Sequence, residues 1–392
     1  MNLAKRLDCI DEPQTIRMAK LSRELKAQGK DIIDLSLGEP DFQTPKHLIQ
    51  AAIQAMQDGY TKYPPVAGYA DLRKAIADKF LNENSLQYTP EQVMVCTGAK
   101  QCIANVVLSL INEGDEVIIP SPYWVTYSDL VKLAGGCVVQ LMGSYQHDFK
   151  ITAEQLEKAI NTKTKLFIFS SPNNPTGSIY SKEELESLAA VFERHPSVFI
   201  ISDEIYEHIN FIGQHESIAQ FESLKERVIV INGLSKAFAM TGWRLGYLAG
   251  PKNIVQACEK IQAQFTSGPN SIAQRTALAA LQGDMSPTHD MKIKFKERRD
   301  FLVQALQEIP GLKLKSPPGA FYVFPDISYY LHKGAIQNAE DLCMHLLHVA
   351  KVSCVTGEAF GDPHCIRISY ATSMENLVEA VNRIKKALAE LR

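Results

Sequence analysis

The sequence predicts an α/β fold: a mostly parallel seven-stranded sheet with helices on both faces, accompanied by a smaller α+β unit. The first observation behind this is a set of seven short apolar runs, at residues 93–96, 116–119, 137–141, 165–169, 198–202, 228–231 and 245–249. Stretches of helical periodicity separate most of them, and strands that alternate with helices are joined by crossovers that build parallel sheets. The second observation is length, because 392 residues exceed what one hydrophobic core ordinarily organises. The third is a change of character near residue 285, after which charged helices and isolated strands replace the alternation. The expected division is an N-terminal arm that also contributes to the small unit (1–45), a large unit (46–285) and a small C-terminal unit (286–392).

Composition narrows the function classes. Hydrophobic residues make up 45% and charged residues 22% of the chain, the balance of a globular protein with ample apolar material. A net charge of −3 with no basic block gives nucleic-acid binding no support. No run approaches a membrane span and the first ten residues lack the apolar centre of a signal peptide, so a cytoplasmic location is expected. The eight cysteines include no CxxC pair and read as thiols of a reducing compartment. His345 and His348 have no Cys or carboxylate cluster beside them, so they read as helix-surface histidines and no metal is expected. Neither a GxGxxG after the first strand nor a GxxxxGK[ST] occurs, which argues against dinucleotide and P-loop nucleotide binding.

Along the chain, residues 11–15 carry a helix start, and Ile16, Met18, Ala19, Leu21 and Leu25 continue it. A short strand at 31–37 ends in Gly38, where the backbone must turn and can approach a ligand. Thr44 and Pro45 begin the next helix, and Tyr63, ahead of two prolines, is held extended in a loop. After the strand at 92–96, Thr97, Gly98, Ala99 and Lys100 open the helix 101–111, a turn whose N–H groups and dipole can face an anion. Trp124 follows a proline-rich strand end, Asn174 lies in the polar run 170–177 after a strand, and Asp203 and Tyr206 follow another. A helix at 292–306, a strand at 319–324, a helix at 339–350, a strand at 364–370 and an amphipathic terminal helix complete the chain.

Three side chains stand out chemically. Lys236 sits among Leu234, Ala237, Phe238, Ala239 and Met240. It reads either as a lysine snorkelling from a strand end or as an amine whose pKa desolvation lowers until it becomes a nucleophile. Asp203 is either a helix N-cap or a functional carboxylate at the end of a buried strand. Arg367 lies inside an apolar strand, an expensive place for a guanidinium unless an anion meets it; a structural ion pair and a substrate carboxylate are the two readings.

Taken as an ordered set, Asn174, Asp203, Tyr206, Ser235, Lys236 and Arg244 make the chain resemble the fold-type I pyridoxal-phosphate enzymes, and within them the class I aminotransferases. The bacterial aspartate aminotransferases are the most similar subgroup, and the resemblance runs from Gly38 to the C-terminus. It implies that pyridoxal 5′-phosphate is attached to Lys236, that Asp203 faces its ring nitrogen, and that Tyr206 and Asn174 bond its phenolic oxygen. Ser235, Arg244 and the Gly98–Ala99–Lys100 turn would hold the phosphate, and Trp124 would stack on the ring and border the substrate. Gly38 and Arg367 would take the substrate's α-carboxylate, with Asn174 alongside. Tyr63 would reach the cofactor phosphate of the other subunit, implying a homodimer with shared sites. The segment 264–270 lacks the arginine that many relatives use for a distal carboxylate; the subgroup's lysine and threonine match Lys100 and Thr15. The expected reaction moves the amino group of L-aspartate to 2-oxoglutarate in alternating half-reactions. Prephenate as acceptor, methionine or aromatic substrates, and a lyase outcome are the alternatives on the same scaffold. A pyridoxal-binding sensor domain, for which no basic DNA-binding module is present, and a pyridoxal-free α/β enzyme are the more distant ones.

Overall fold

A computed structural model describes residues 3–391; the outermost residues of the expected N-terminal arm (1 and 2) and of the small C-terminal unit (392) lie outside it. Its strands begin with β1 (Ile33–Asp34), β2 (Val93–Cys96), β3 (Glu116–Ser121), β4 (Cys137–Met142), β5 (Thr164–Ser170) and β6 (Phe199–Asp203). They continue with β7 (Val228–Gly233), β8 (Gly246–Ala249), β9 (Tyr322–Val323), β10 (Val352–Ser353), β11 (Val355–Thr356) and β12 (Ile366–Ser369). The helices of the first part of the chain include α1 (Gln14–Ala27), α2 (Lys46–Gln57), α3 (Ala70–Asn84) and α4 (Ala99–Leu110).

Seven strands form the central sheet, in the order β2-β8-β7-β6-β5-β3-β4. All pairings from β7 to β4 are parallel, and β8 alone runs against both of its neighbours. Side chains alternate across the pleat, so each strand serves two cores. Val93, Val95, Phe167, Phe169, Ile200, Val228 and Val230 pack on one face. Met94, Cys96, Leu166, Ile168, Ile201, Ile229 and Ile231 pack on the other. Helices cover both faces, which is why these strands read in sequence as continuous apolar runs rather than as alternating ones. Because β2 runs opposite to β8, the C-terminal ends of β2, β3, β5, β6 and β7 all open on one edge of the sheet.

A second assembly contains the parallel pair β1–β10 and the antiparallel sheet β11-β12-β9. Ile33 and Leu35 share its core with Phe295, Leu302, Phe321, Ile366, Ile368 and Leu377, so the N-terminal segment packs with the C-terminal one. The expected strands here are shorter than their apolar runs. The run 319–324 yields only Tyr322–Val323, because Gly319 N–H is bonded to Gly177 and Ala320 N–H to Ile209, both outside the sheet. The run 31–37 yields only Ile33–Asp34, and the helix expected over 339–350 is α-helical for Ala339–His345 and then widens to a π turn at Leu346–Ala350. No helix among the described residues is long and apolar enough to cross a membrane.

Phe295 is fully buried between Phe42, at a 5.3 Å ring-centroid distance, and Phe321, at 5.1 Å. Phe295→Ala should therefore lower the unfolding free energy by about 3–5 kcal/mol, measured by urea denaturation, through lost burial and the cavity it leaves.

Candidate active site

The strand ends on that one edge deliver side chains to a common cavity of 310 Å³. Asp203 is the last residue of β6, Ser235 and Lys236 follow β7, Asn174 follows β5 and Trp124 follows β3. From the second assembly come Arg367 on β12 and Gly38 after β1, and Thr15 reaches in from the first turn of α1. Ala99, Lys100, Tyr206 and Arg244 complete the expected residues that line the cavity. Gly98 lies just beneath it, N-terminal to α4, with a left-handed φ of 83°. A Cβ there would come within 2.6 Å of Arg244 Nη2, so glycine lets the guanidinium lie on the turn. Tyr63 is the expected residue the structure leaves outside the cavity of a single chain; it is 94% exposed.

Lys236 Nζ donates to Gly38 O at 2.5 Å and lies 5.9 Å from the ring of Tyr206 and 5.8 Å from that of Phe321. Burial is the main force pulling its pKa down to about 8; Glu39 opposes it, and Arg367 and Arg244 add to it. The snorkelling alternative is thereby overturned: the amine is turned into the protein, among aromatic rings.

Asp203 is fully enclosed, and burial pushes its pKa up to about 6 against the hydrogen bonds that favour its charged form. Tyr127 Oη donates to Asp203 Oδ2 at 2.6 Å, and Ile205 N–H donates to Oδ1 at 3.3 Å. Among the described residues, no lysine, arginine or histidine forms an ion pair with it. Asp203 therefore faces the cavity as a carboxylate that a cationic group would stabilise.

Arg367 is the mirror case. It is 2% exposed, stacked between Tyr322 at 4.6 Å and Phe360 at 4.8 Å. Nη1 donates to Asn174 Oδ1 at 2.9 Å and Nη2 to the Ser36 carbonyl at 2.6 Å, while Nε is buried without a partner. No carboxylate lies within ion-pair distance of it among the described residues. The structural ion pair is absent, and the guanidinium has only neutral acceptors.

Two residues of the site carry no signal in the sequence. Tyr127, which holds Asp203, lies in the first turn of the helix Thr126–Leu133, with its ring edge-on to that of Trp124 at 5.6 Å. Tyr322 shares a 2.8 Å hydrogen bond with Tyr206, and its hydroxyl would lie 2.5 Å from a Cβ at Gly38. Its position in a short apolar strand offers no sign of this.

Residues 30–384 match the model of the family described as aminotransferase class I and II. The chain belongs to this family. The aminotransferase is 46% identical over 403 residues to the bifunctional aspartate aminotransferase and glutamate/aspartate-prephenate aminotransferase of Petunia hybrida, covering 100% of this chain and 84% of the relative. It superimposes on the crystal structure of the aspartate aminotransferase from Rhizobium meliloti with a TM-score of 0.97, at 41% identity and with 100% of both chains covered. The aspartate aminotransferase from Thermus thermophilus, solved with maleate, gives a TM-score of 0.94 at 39% identity, covering 99% of this chain and 100% of that one.

Pyridoxal 5′-phosphate is the cofactor of this family, and the groups present fit it. Among the described residues the cavity holds a desolvated amine, a buried carboxylate with no ion pair and an arginine over a glycine turn, which would suit its aldehyde, a protonated ring nitrogen and its phosphate. With a pKa of about 8, roughly a tenth of the Lys236 side chains carry a free amine at pH 7, far more than an ordinary lysine would. Cofactor uptake by the stripped protein should therefore accelerate with rising pH and level off above about 8, followed by stopped-flow absorbance. Uptake still climbing steeply at pH 10 would contradict a lowered pKa.

Proposed function

We propose that the protein transfers the amino group of L-aspartate to 2-oxoglutarate, giving oxaloacetate and L-glutamate, in two alternating half-reactions. The observation that carries the substrate class is Arg367: a buried guanidinium with an orphaned Nε and no anion, facing the same cavity as the reactive amine. A carboxylate of the substrate would supply the missing charge, and the planar fork suits it.

In this reading Arg367, with Asn174 and the Gly38 main chain, orients the α-carboxylate so that the Cα–H bond points toward Lys236. When bound, pyridoxal phosphate supplies the electron sink for the charge that develops at Cα. Lys236 Nζ accepts the Cα proton, a task suited to an amine that is partly neutral near pH 7. Asp203, held by Tyr127, would stabilise positive charge at the cofactor's ring nitrogen. Tyr206 and Asn174 would bond its phenolic oxygen, Trp124 would wall the ring, and Ser235, Arg244, Gly98, Ala99 and Lys100 would hold the phosphate.

We assign the distal carboxylate of a dicarboxylate substrate to Lys100 and Thr15, both of which line the cavity. Burial and the charge of Arg244 lower the Lys100 pKa, so an arriving carboxylate would relieve both. The relative solved with maleate, itself a dicarboxylate, supports that substrate class. The double name of the Petunia relative supports prephenate as a second acceptor.

We further propose a homodimer that completes both sites. Ile49, Ile53 and Met56 leave an apolar stripe exposed along α2, at spacings that place them on one helix face. Tyr63, exposed beyond the end of that helix, would cross to the partner's cofactor. The division at residues 45 and 285 remains our reading of the large and small units. Eight unpaired cysteines fit a reducing compartment such as the cytoplasm.

Mixing the cofactor-loaded protein with single amino acids tests the function directly. Loss of the visible absorbance band should be fastest with aspartate and glutamate, and a band unchanged by every amino acid removes the transaminase reading. Arg367→Lys should lower kcat/KM for aspartate on the order of 100-fold, ~2.7 kcal/mol, while cofactor content stays at the wild-type level. Equal loss of cofactor would assign Arg367 to cofactor binding instead. Lys100→Ala should slow the half-reaction of aspartate more than that of alanine; equal slowing would remove the distal-carboxylate role.

A further inference from the structure

Asp203 ends β6 and Tyr206 lies three residues on, in the tight turn that follows; Glu204 and Glu207 repeat that spacing one residue later. The turn is closed by Glu207 N–H bonding to Glu204 O at 3.0 Å and Ile209 N–H to Tyr206 O at 2.8 Å. Asp203 and Tyr206 line the cavity, whereas Glu204 and Glu207 do not; they are 0% and 6% exposed and lie in a polar cluster of their own.

That cluster is densely bonded. Glu204 Oε1 accepts from Ser202 Oγ at 2.7 Å and Ser217 Oγ at 2.5 Å, and Oε2 accepts from His215 Nε2 at 2.9 Å. Glu207 Oε1 accepts from Lys79 Nζ, and Oε2 accepts from Asn84 Nδ2 at 3.0 Å. His208 Nδ1 lies 3.5 Å from Glu207. Lys79 is itself 4% exposed, on α3, so two separate segments, α3 and residues 215–217, grip the turn. Ligand atoms of Glu204, Glu207 and His215 lie within 4.8 Å of one another, a spacing open to a cation. The Lys79 ammonium already meets Glu207, so the cluster reads as a protein-only network.

Two buried carboxylates are a costly way to hold a turn, and apolar side chains of similar volume usually serve stability as well or better. What such a polar network adds is a single orientation, since its hydrogen bonds are directional; of its atoms, His215 Nδ1 is buried without a partner among the described residues. Rotation of this turn would carry Tyr206 away from Tyr322, and the Ile205 N–H away from Asp203 Oδ1. We infer that Glu204 and Glu207, gripped by His215, Ser217 and Lys79, are positioning residues that set the orientation of Asp203 and Tyr206 toward the cofactor. This rests on the proposal that Asp203 and Tyr206 serve the cofactor.

The test uses the holoenzyme and three variants: Glu207→Gln, the pair Lys79→Met with Glu207→Met, and Ser217→Ala. Glu207→Gln strands a buried ammonium and should lower Tm; the pair removes both charges and should recover most of that Tm. Even so, the pair should show an altered visible circular dichroism of the bound cofactor. Its kcat for aspartate should be about tenfold lower, with KM within about twofold, because the turn is no longer oriented while Arg367 is untouched. Ser217→Ala, which deletes one bond to Glu204, should shift the dichroism and kcat in the same direction by a smaller factor. Wild-type dichroism and kcat in both the pair and Ser217→Ala overturn the inference, and if the pair does not fold, Ser217→Ala decides alone. A wild-type protein with no cofactor at Lys236 would instead remove the functional reading on which the inference stands.

Discussion

Two buried charges of opposite sign, neither in an ion pair among the described residues, face one cavity. Asp203 has only a tyrosine hydroxyl and a backbone N–H, and Arg367 has only an amide oxygen and a carbonyl. An interior carboxylate or guanidinium without a counter-ion costs several kcal/mol, so the fold carries a stored electrostatic demand on each side. A ligand with a cationic ring nitrogen and a carboxylate-bearing substrate answer both demands at once.

The central sheet makes that demand tolerable. Its strands are buried on both faces, and their C-terminal ends open on one edge, where polar groups can be presented without breaking either core. The antiparallel β8 preserves this geometry, because it leaves β2 pointing the same way as the parallel strands. Gly98 can then place a helix N-terminus and Arg244 at the same edge as Asp203 and Lys236. The second assembly closes over this edge with Arg367 and Gly38, and Tyr206 packs into its core although it follows β6. Hydrogen bonds from Tyr206 to Tyr322, from Arg367 to Asn174 and from Lys236 to Gly38 cross between the two assemblies, so a shift between them would disturb groups on both sides of the cavity.

Aromatic residues connect these halves. Tyr322 touches Tyr206 through its hydroxyl and Arg367 through its ring, and Tyr127 ties the helix Thr126–Leu133 to Asp203. Burial raises the pKa of all three tyrosines, so they stay neutral donors across the physiological range. Their hydroxyls therefore orient charged groups without adding charge of their own.

By itself, the amino-acid order determined the sheet, its helices and the identity of most groups around the cavity. Apolar runs between helical patterns report burial on two faces, a local property that each segment carries in its own residues. Lys236 among apolar neighbours and Arg367 inside an apolar strand were legible because a charge in greasy surroundings is a local contradiction. Strand ends were less legible: at 319–324 the ladder stops where Gly319 and Ala320 bond to distant segments, which no local pattern records. Tyr127, Tyr322 and the Glu204–Glu207 network were invisible for the same reason, since a tyrosine or glutamate acquires its role from a partner dozens of residues away. Tertiary structure alone decided that Arg367 meets only neutral acceptors among the described residues and that Asp203 is held by a neutral donor. Only packing sets the distances at which an ion pair forms or fails to form.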